Sequence, residues 1–400
     1  MRNVLPPLSY VQSAVSATAG NVGIAVEGLN ASIPGDDRYH ENSAANLVLP
    51  PLDPYGPTTR WFEVFSRGTM NCDWWAESDL HWVVLSQSSG TVGPDNGTDT
   101  RVFLSIDWES APDIVNDTMA TINFTTGCGR EGFANWYGEP IVQLPINLRS
   151  VPSNFTSGFV ESDGHVAIEG PHYQRIYTPN NGKENVTYKT LRNYGRTLGG
   201  VTLWPQTTLQ LTPETAPALE YDLYLFTNTT AANVTLHLSP TQNYLSDENP
   251  IHYAVALFPA TPSPSNDTAP SAQVRSFVGP SVGSGMPDGW GSAVADGVWG
   301  ADPAYTNTTT SWDVPGEGAY TLRVWGLAPS VVVQKIVVDL GGVRRSYLGP
   351  PESFLVGRDT AGANNRTSFA HGPGVVGRLG GEDETSSISK QRRTRRDDGM

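Results

Sequence analysis

Hydrophobic and polar residues alternate along a first long stretch of this chain, and alternation predicts half-buried β-strands. Phe62 and Val64 begin the pattern, and residues 101–108 continue it with their apolar side chains on one face. Turn-forming residues at 93–97 precede that segment. Short strands separated by such turns predict a β-sandwich over residues 59–150.

A second alternating stretch is longer and clearer. Apolar residues occupy every other position in 219–225 and 234–238, and a further apolar run covers 331–338. Sheets with one buried face pack as a sandwich or a jelly roll. The sequence therefore predicts a larger, jelly-roll-like β-sandwich over residues 158–350, and an all-β protein as a whole.

The two ends of the chain lack this pattern. Residues 1–58 show no clear period apart from a short helix-compatible segment at 8–15, so we predict an irregular linker there. From Gly357 onward the composition collapses to Gly, Arg, Asp and Ser, which cannot bury apolar area, and we predict a disordered tail over residues 351–400. A basic run at 392–396 could be read as a nuclear signal, but we favour a solvated tail.

The charge balance limits the classes of partner. With 40 acidic and 25 basic residues, the formal net charge is -15, which would repel phosphate backbones and anionic lipid headgroups. We therefore expect neither nucleic acid nor a membrane as partner. The sequence contains no apolar run long enough to cross a bilayer, and its first ten residues do not resemble a signal peptide.

Glycosylation acceptor triplets nevertheless point to a secreted protein. Asn-x-Ser/Thr occurs along the whole chain, more often than chance predicts for this composition. We expect a secreted, extracellular glycoprotein whose secretory signal belongs to a longer parent protein. The triplets begin at Asn30, Asn96, Asn116, Asn123, Asn154, Asn185, Asn228, Asn233, Asn266, Asn307 and Asn365.

The chain has only two cysteines, Cys72 and Cys128, and both fall within the first predicted sandwich. An oxidising compartment would allow them to form a disulfide. Two separate buried thiols are the alternative, and the sequence does not decide between them.

Four segments of the second sandwich resemble the C-terminal domain of glycoside hydrolase family 115. The most specific is QKIVVDLGGVRRSYLGPPES at 334–353, and three upstream segments are similar to the sequence that leads into that domain. Residues 61–150 also resemble an immunoglobulin-like module. The other segments that carry the resemblance are 170–173, 194–201 and 237–244, with 5–12, 35–40 and 65–69 upstream.

This resemblance implies a parent enzyme that removes glucuronic acid side groups from xylan, an α-glucuronidase. It also implies that residues 1–58 are the remnant of a preceding helical domain. We identify no counterpart of the family's catalytic barrel, because the alternation of strand and helix that a barrel needs is missing from the sequence. No catalytic residue is carried over, and we expect the chain alone to be inactive.

Tryptophans in glycine-rich sequence are candidates for sugar binding, because aromatic rings stack on the apolar faces of pyranoses. Trp290 and Trp299 are the two best placed, and packing against a neighbouring domain is the alternative. Nearby aspartates, Asp288, Asp296, Asp302 and Asp313, could be read as catalytic carboxylates. Their Pro-Asp and Asp-Gly contexts favour turns instead.

No cofactor is predicted, with one structural exception. The first strand of the second sandwich ends at Glu169, and Asp339 closes its last strand, an arrangement that resembles jelly rolls holding a structural Ca²⁺.

Two hypotheses of function follow. The first is the non-catalytic C-terminal accessory region of a secreted family 115 enzyme, which docks on the upstream catalytic domains and could also form a homodimer. The second is a free-standing carbohydrate-binding protein that recognises a xylan-type polysaccharide.

Overall fold

The computed structural model describes residues 22–30, 32–33, 47–66, 70–97, 99–112, 117–128, 141–244, 249–260, 271–279, 285–299 and 308–359. Within these residues the protein is nearly all β, with a single short helix, so the predicted fold class is confirmed. The helix-compatible segment at 8–15 and the basic run at 392–396 lie outside the described residues.

The first sandwich has two sheets that enclose one apolar core. Sheet A has the strand order β2-β1-β4-β8-β6, and sheet B has the order β3-β10-β9-β5-β7. The strands are β1 (Val22–Val26), β2 (Ser32–Ile33), β3 (Leu47–Val48), β4 (Thr59–Ser66), β5 (Cys72–Ser78), β6 (Val83–Leu85), β7 (Ser89–Val92), β8 (Asp99–Ile106), β9 (Thr118–Thr126) and β10 (Ile141–Ile146).

This sandwich begins earlier than the sequence pattern predicted. Strand β1 pairs antiparallel with β4, and β3 pairs with β10, so residues predicted to be an irregular linker belong to both sheets. Val22 and Ile24 are fully buried in the core. Their strands are too short to show a period by themselves, and only pairing with distant strands gives them a structure.

The second sandwich is built in the same way from two larger sheets. Sheet C has the order β19-β18-β21-β16-β11-β23, with β13 also on β16, and sheet D has the order β14-β15-β22-β17-β20, with β12 also on β22. The elements are β11 (Gly158–Val160), β12 (His165–Glu169), β13 (Arg175–Tyr177), β14 (Thr187–Arg192), β15 (Gly199–Trp204), β16 (Ala218–Leu225), β17 (Thr229–Leu238), β18 (His252–Pro259), β19 (Gln273–Ser276), α1 (Trp290–Asp296), β20 (Thr309–Val314), β21 (Gly318–Gly326), β22 (Val332–Asp339) and β23 (Leu355–Val356).

The alternating residues of the second stretch face the core as the pattern predicted. Leu219, Tyr221 and Leu223 are fully buried in sheet C, and Val234 and Leu236 are fully buried in sheet D. Alternation therefore located the core face correctly, because side chains of successive strand residues point to opposite sides of a sheet.

The start of the predicted tail is part of the sandwich. Residues 344–354, here called the strap, cross the outer face of sheet D, where the Ser353 N–H donates to the Ala167 carbonyl at 2.8 Å. The chain then enters sheet C, where β23 pairs with β11. The prediction of disorder from 351 onward is thus wrong for residues 351–359, because backbone pairing, which composition does not reveal, holds them.

The two sandwiches contact each other through a turn and an aromatic cluster. Asp163 and Gly164, both with positive φ, form the two-residue turn between β11 and β12. This turn brings the Asp163 carboxylate to within 2.6 Å of the buried Arg60 guanidinium of β4. Tyr55 and Phe354 pack edge to face beside it, with ring centroids 5.2 Å apart.

Candidate functional site

Segments that lie far apart in the sequence meet on the outer face of sheet D, beneath the strap. Glu169 of β12, Lys335 of β22 and His237 of β17 are directly opposite one another on three neighbouring strands. All three are less than a tenth exposed. Each belongs to or adjoins one of the segments that carried the family resemblance, so that resemblance describes one place in the fold.

Lys335 and Glu169 form a buried ion pair, with Nζ and Oε1 3.2 Å apart. The Lys335 ammonium also donates to the carbonyls of Leu348 and Pro350 in the strap, at 3.2 and 2.8 Å. Thr197 donates its hydroxyl hydrogen to the other oxygen of Glu169. A buried charge is tolerated only when it is paired and hydrogen-bonded, and these partners satisfy that requirement.

His237 lies next to this pair and is 8% exposed. Burial, together with the positive charges of Lys335 and Arg196, lowers the pKa of His237 to about 4. The imidazole is therefore neutral at physiological pH. Gly349 of the strap packs directly on it, since a Cβ at that glycine would lie 3.3 Å from His237 Cε1.

Arg196 joins the strap to helix α1. Its Nε donates to the Asp296 carbonyl at 2.6 Å, and its guanidinium stacks on the Tyr347 ring at 3.9 Å and donates to the Tyr347 carbonyl. The Gln334 amide oxygen accepts from the Arg196 backbone N–H at 3.0 Å, and its amide nitrogen donates to Ser239 Oγ at 2.9 Å. Arg196 and Gln334 thus connect the site to the end of helix α1, to the strap and to Ser239.

Glu352 fixes the far end of the strap. Its Oε1 lies 2.6 Å from His172 Nδ1 and accepts the Glu169 backbone N–H at 3.0 Å, and Arg358 contacts its other oxygen at 2.8 Å. Burial favours the neutral acid, but the hydrogen bond and charge of His172 and the charge of Arg358 outweigh it and lower the pKa of Glu352. The carboxylate is therefore ionised and acts as an anchor.

Chemically, this arrangement is a closed polar cluster. Glu169 and Glu352 are each engaged by a cation and by further donors, and the strap covers the Glu169–Lys335–His237 row. Groups held in this way position a chain segment and are not presented to a substrate. The residues of the cluster therefore shape the surface around it, where Tyr347 is 64% exposed and Leu348 is 44% exposed.

The structure does not bring the predicted calcium ligands together. Glu169 and Asp339 lie at opposite ends of the β12–β22 pair, where Glu169 is opposite Lys335 and Asp339 is opposite His165. Four residues of strand separate them by about 13 Å, too far for one cation. Asp339 instead accepts the backbone N–H groups of Gly341 and Val343 in a turn. The described residues contain no group of three or more metal-ligating side chains.

The two tryptophans predicted to bind sugar pack against each other, with ring centroids 6.5 Å apart. Trp299 is only 3% exposed, because its backbone pairs with Leu238 and its side chain packs in the core, so its ring is not available for stacking. Trp290 begins helix α1 and is half-buried against the core. The expected exposed pair is therefore wrong for Trp299, and the glycine-rich context that predicted a loop did not reveal the bridge.

Of the aspartates near these tryptophans that the structure describes, one forms an ion pair and two are exposed. Asp296 ends helix α1 and forms an ion pair with Arg196 at 3.4 Å. Asp288 and Asp313 are exposed, and Asp302 lies outside the described residues.

The predicted modification sites lie at the surface, where the structure describes them. Of the acceptor asparagines, Asn116, Asn266, Asn307 and Asn365 lie outside the described residues. Cys72 and Cys128 are joined in a disulfide between the ends of β5 and β9, with Cα atoms 5.6 Å apart. The exposed acceptors are Asn30, Asn96, Asn123, Asn154, Asn185, Asn228 and Asn233.

A family model described as the glycosyl hydrolase family 115 C-terminal domain matches residues 158–352. The chain contains a family 115 C-terminal domain. The match begins at the first strand of the second sandwich and ends at Glu352, the anchor of the strap. Sheets C and D, with the polar cluster beneath the strap, are therefore the structure of this family 115 domain.

Solved structures with similar parts include a family 115 4-O-methyl-α-glucuronidase with specificity for decorated arabinogalactans. It is 12% identical with a TM-score of 0.24, and the match covers 42% of this chain but only 17% of the glucuronidase. A two-domain protein of unknown function from Bacteroides fragilis is 8% identical with a TM-score of 0.27, covering 80% of this chain and 88% of that one. No curated protein matches the chain.

Proposed function

We propose that this chain is the non-catalytic C-terminal accessory region of a secreted family 115 enzyme that removes glucuronic acid side groups from a xylan-type polysaccharide. The observation that carries the proposal is the family match over residues 158–352, which contains every strand of the second sandwich except β23. The closed, paired state of the charges beneath the strap supports a positioning role for this domain. Catalysis is assigned to upstream domains of the parent protein.

The docking surface in this proposal is the set of exposed side chains around Arg196, here called the Arg196 surface. Arg196 contacts the end of helix α1 and the strap, so three segments meet there. A mixed aromatic and aliphatic patch of this kind is typical of an interface with another domain. Its exposed members are Tyr194, Leu198, Val294, Tyr347 and Leu348.

The docking role is tested by co-purifying the chain with the catalytic portion of a family 115 α-glucuronidase that lacks its own C-terminal domain. A stable complex is expected, and Tyr347→Ala should weaken it by about fivefold or more, since an exposed aromatic ring at the centre of an interface is a typical hot spot. Leu209→Ala is the matched control, because Leu209 is 77% exposed in a different loop.

Absence of any complex would contradict docking, and so would equal weakening by Tyr347→Ala and Leu209→Ala. The enzymatic part of the proposal has its own test. The purified chain should release no glucuronic acid from glucuronoxylan, and measurable release would overturn the non-catalytic assignment.

The secreted, glycosylated state is the remaining part of the proposal. It is supported by the surface position of the acceptor asparagines and by the Cys72–Cys128 disulfide, because disulfides persist in oxidising compartments. Mass spectrometry of the chain from a eukaryotic secretory host, before and after removal of N-glycans, tests it. An unchanged mass would count against secretion through a glycosylating pathway.

A further inference from the structure

The outer face of sheet A carries three aromatic residues, of which Phe103 is exposed and Trp61 and Phe65 are partly exposed. Strand β4 points Trp61, Glu63 and Phe65 outward, and β8 points Arg101 and Phe103 outward on the same side. Trp61 lies directly opposite Phe103, and Glu63 lies directly opposite Arg101. Phe103 is 44% exposed although it is a large apolar residue in the middle of a strand. The inward-facing residues of both strands already fill the core, so this aromatic face needs a separate explanation.

The charged pair on this face lies level with the rings. The Arg101 guanidinium stacks on Trp61, 4.1 Å from the ring centroid, and donates to Glu63 at 2.5 Å. The Arg101 side chain is 49% exposed and that of Glu63 is 26% exposed. The pair therefore offers donors and acceptors to solvent directly beside an aromatic surface.

Phe65 extends the flat surface onto the neighbouring strand. It lies opposite Gly23 of β1, and a Cβ at Gly23 would lie only 2.3 Å from Phe65 Cζ. The ring can therefore lie across β1 only because residue 23 is glycine. Trp61 and Phe65 are four residues apart on one strand, about 13 Å, with the Arg101–Glu63 pair between them.

Sheet B, the opposite sheet of this sandwich, carries a glycosylation acceptor on its outer face. Asn123, a glycosylation acceptor, lies at the centre of the outer face of sheet B, opposite Glu77. No asparagine occurs in any strand of sheet A. A glycan at Asn123 would occupy the sheet B face, whereas the described acceptors next to sheet A, Asn30 and Asn96, lie in turns at the ends of its strands and not on its outer face.

We propose that the outer face of sheet A binds a polysaccharide backbone of the flat, β-linked xylan type. The apolar face of one sugar would stack on Phe103, a further sugar would lie on the partly exposed Phe65, and ring hydroxyls would exchange hydrogen bonds with Glu63 and with Arg101, whose guanidinium is held in place by stacking on Trp61. The mixture of rings with an exposed ion pair fits a polyhydroxylated ligand better than a protein interface, whose centre is depleted of charge.

This inference rests on the proposed role in polysaccharide degradation, but it concerns a different sandwich from the family 115 domain. It also replaces the pair Trp290 and Trp299 as the sugar-binding candidate, since Trp299 is buried. Docking through the Arg196 surface and sugar binding through sheet A can fail independently, because no residue is common to both surfaces.

The test is affinity electrophoresis of the full chain in native gels containing soluble glucuronoxylan, with isothermal titration of xylohexaose to measure affinity. Retardation is expected for the unmodified chain. Phe103→Ala should weaken binding about tenfold, the loss expected for one stacked ring, and Trp61→Ala should also weaken it, because Arg101 loses the ring that holds it in place. Trp75→Ala is the matched control, because Trp75 is 47% exposed on the outer face of sheet B.

The net negative charge of the chain helps to distinguish stacking from electrostatic attraction in this test. With a net charge of -15, the protein is repelled by an acidic polymer, so retardation by glucuronoxylan reports stacking and should persist when salt is raised. Absence of retardation would overturn the proposal, as would equal losses for the variants of sheet A and Trp75→Ala. Phe103→Ala keeps the test valid if Trp61→Ala fails to fold, since Phe103 is the more exposed ring.

Discussion

At the scale of single residues, the charged side chains that the structure describes with little exposure are held either by an oppositely charged partner or, like Glu161, by hydrogen-bond donors. Arg323, for example, is 8% exposed, contacts Glu220 at 2.6 Å and stacks on Tyr177 at 3.8 Å. Lys335 with Glu169 follows the same rule beneath the strap. Removing one member of such a pair leaves an unsatisfied charge, which costs more than the pair contributes. His237 differs because it is buried neutral, and this makes its contribution to stability depend on pH.

We therefore predict that His237 makes the protein sensitive to mild acid. Its pKa is about 4 in the folded protein, below the ordinary value of 6.5, so between these values the unfolded chain binds the extra proton and stability falls as pH falls. From pH 7 to pH 5 this amounts to about 2 kcal/mol. Chemical denaturation at both pH values should show a smaller loss for His237→Gln, while His81→Gln, at an exposed histidine, should behave like the unmodified chain.

A loss of stability in His237→Gln as large as in the unmodified chain would contradict this assignment. The window above pH 5 separates the histidine from Glu352, whose pKa is lowered. That carboxylate contributes stability above its unfolded pKa and loses it only as pH falls through the lower folded value.

At the scale of elements, alternation predicts strands but not the cross-links that hold two of the elements in position. The Cys72–Cys128 disulfide joins β5 and β9 within sheet B, just beyond the pairing of Trp74 with Thr126. The strap is held to sheet D by Lys335 and by Ser353 in the same way. Both devices fix the end of an element that would otherwise be free to fray.

The disulfide should contribute measurably to stability. Its cysteines are 56 residues apart, and a cross-link of this length restricts the unfolded chain by an amount worth about 2–4 kcal/mol. Cys128→Ser removes the bond and leaves Cys72 as a buried thiol. The midpoint of chemical denaturation should therefore fall accordingly. The unmodified protein under reducing conditions is the matched control and should show the same loss. If neither change moves the midpoint, the bond does not stabilise the fold.

At the scale of the whole molecule, the two sandwiches are joined by polar contacts between a buried Arg60 and a partly buried Asp163. Arg60 of the first sandwich binds Asp163 of the second, and its guanidinium also donates to Glu27 and to the Pro51 carbonyl. Asp53 lies at the same junction, where it accepts the Ser162 hydroxyl at 2.7 Å and burial raises its pKa. A junction of buried polar groups is stable only when all of them are paired. The two bodies should therefore unfold together.

Arg60 is the residue that tests this coupling. Arg60→Met keeps the apolar stem but leaves Asp163 without its partner, with an expected cost of about 3–5 kcal/mol. Differential scanning calorimetry should show one transition for the unmodified chain and two for the variant. Arg101→Met removes an exposed pair on the neighbouring strand and should cost no more than about 1 kcal/mol. One unshifted transition in Arg60→Met would show that the junction does not couple the sandwiches.

The sequence by itself determined the strands that show alternation, because alternation depends only on neighbours along the chain, but it missed the short strands β1 and β3. It also determined the second sandwich and its resemblance to the family 115 domain, since the segment at 334–353 is the most specific of those that carry the resemblance. The all-β class followed from the same evidence. These are local properties, and local properties can be read from one sequence.

Only the tertiary structure decided what those residues contact. It separated Glu169 from Asp339, buried Trp299, and assembled Trp61 and Phe103 into an exposed aromatic face. Each outcome depends on which distant strands pair and in which register, and a shift of one residue would turn every side chain to the other face. Register is set by the packing of the whole sandwich, and for this reason the positions of strands could be predicted but their surfaces could not.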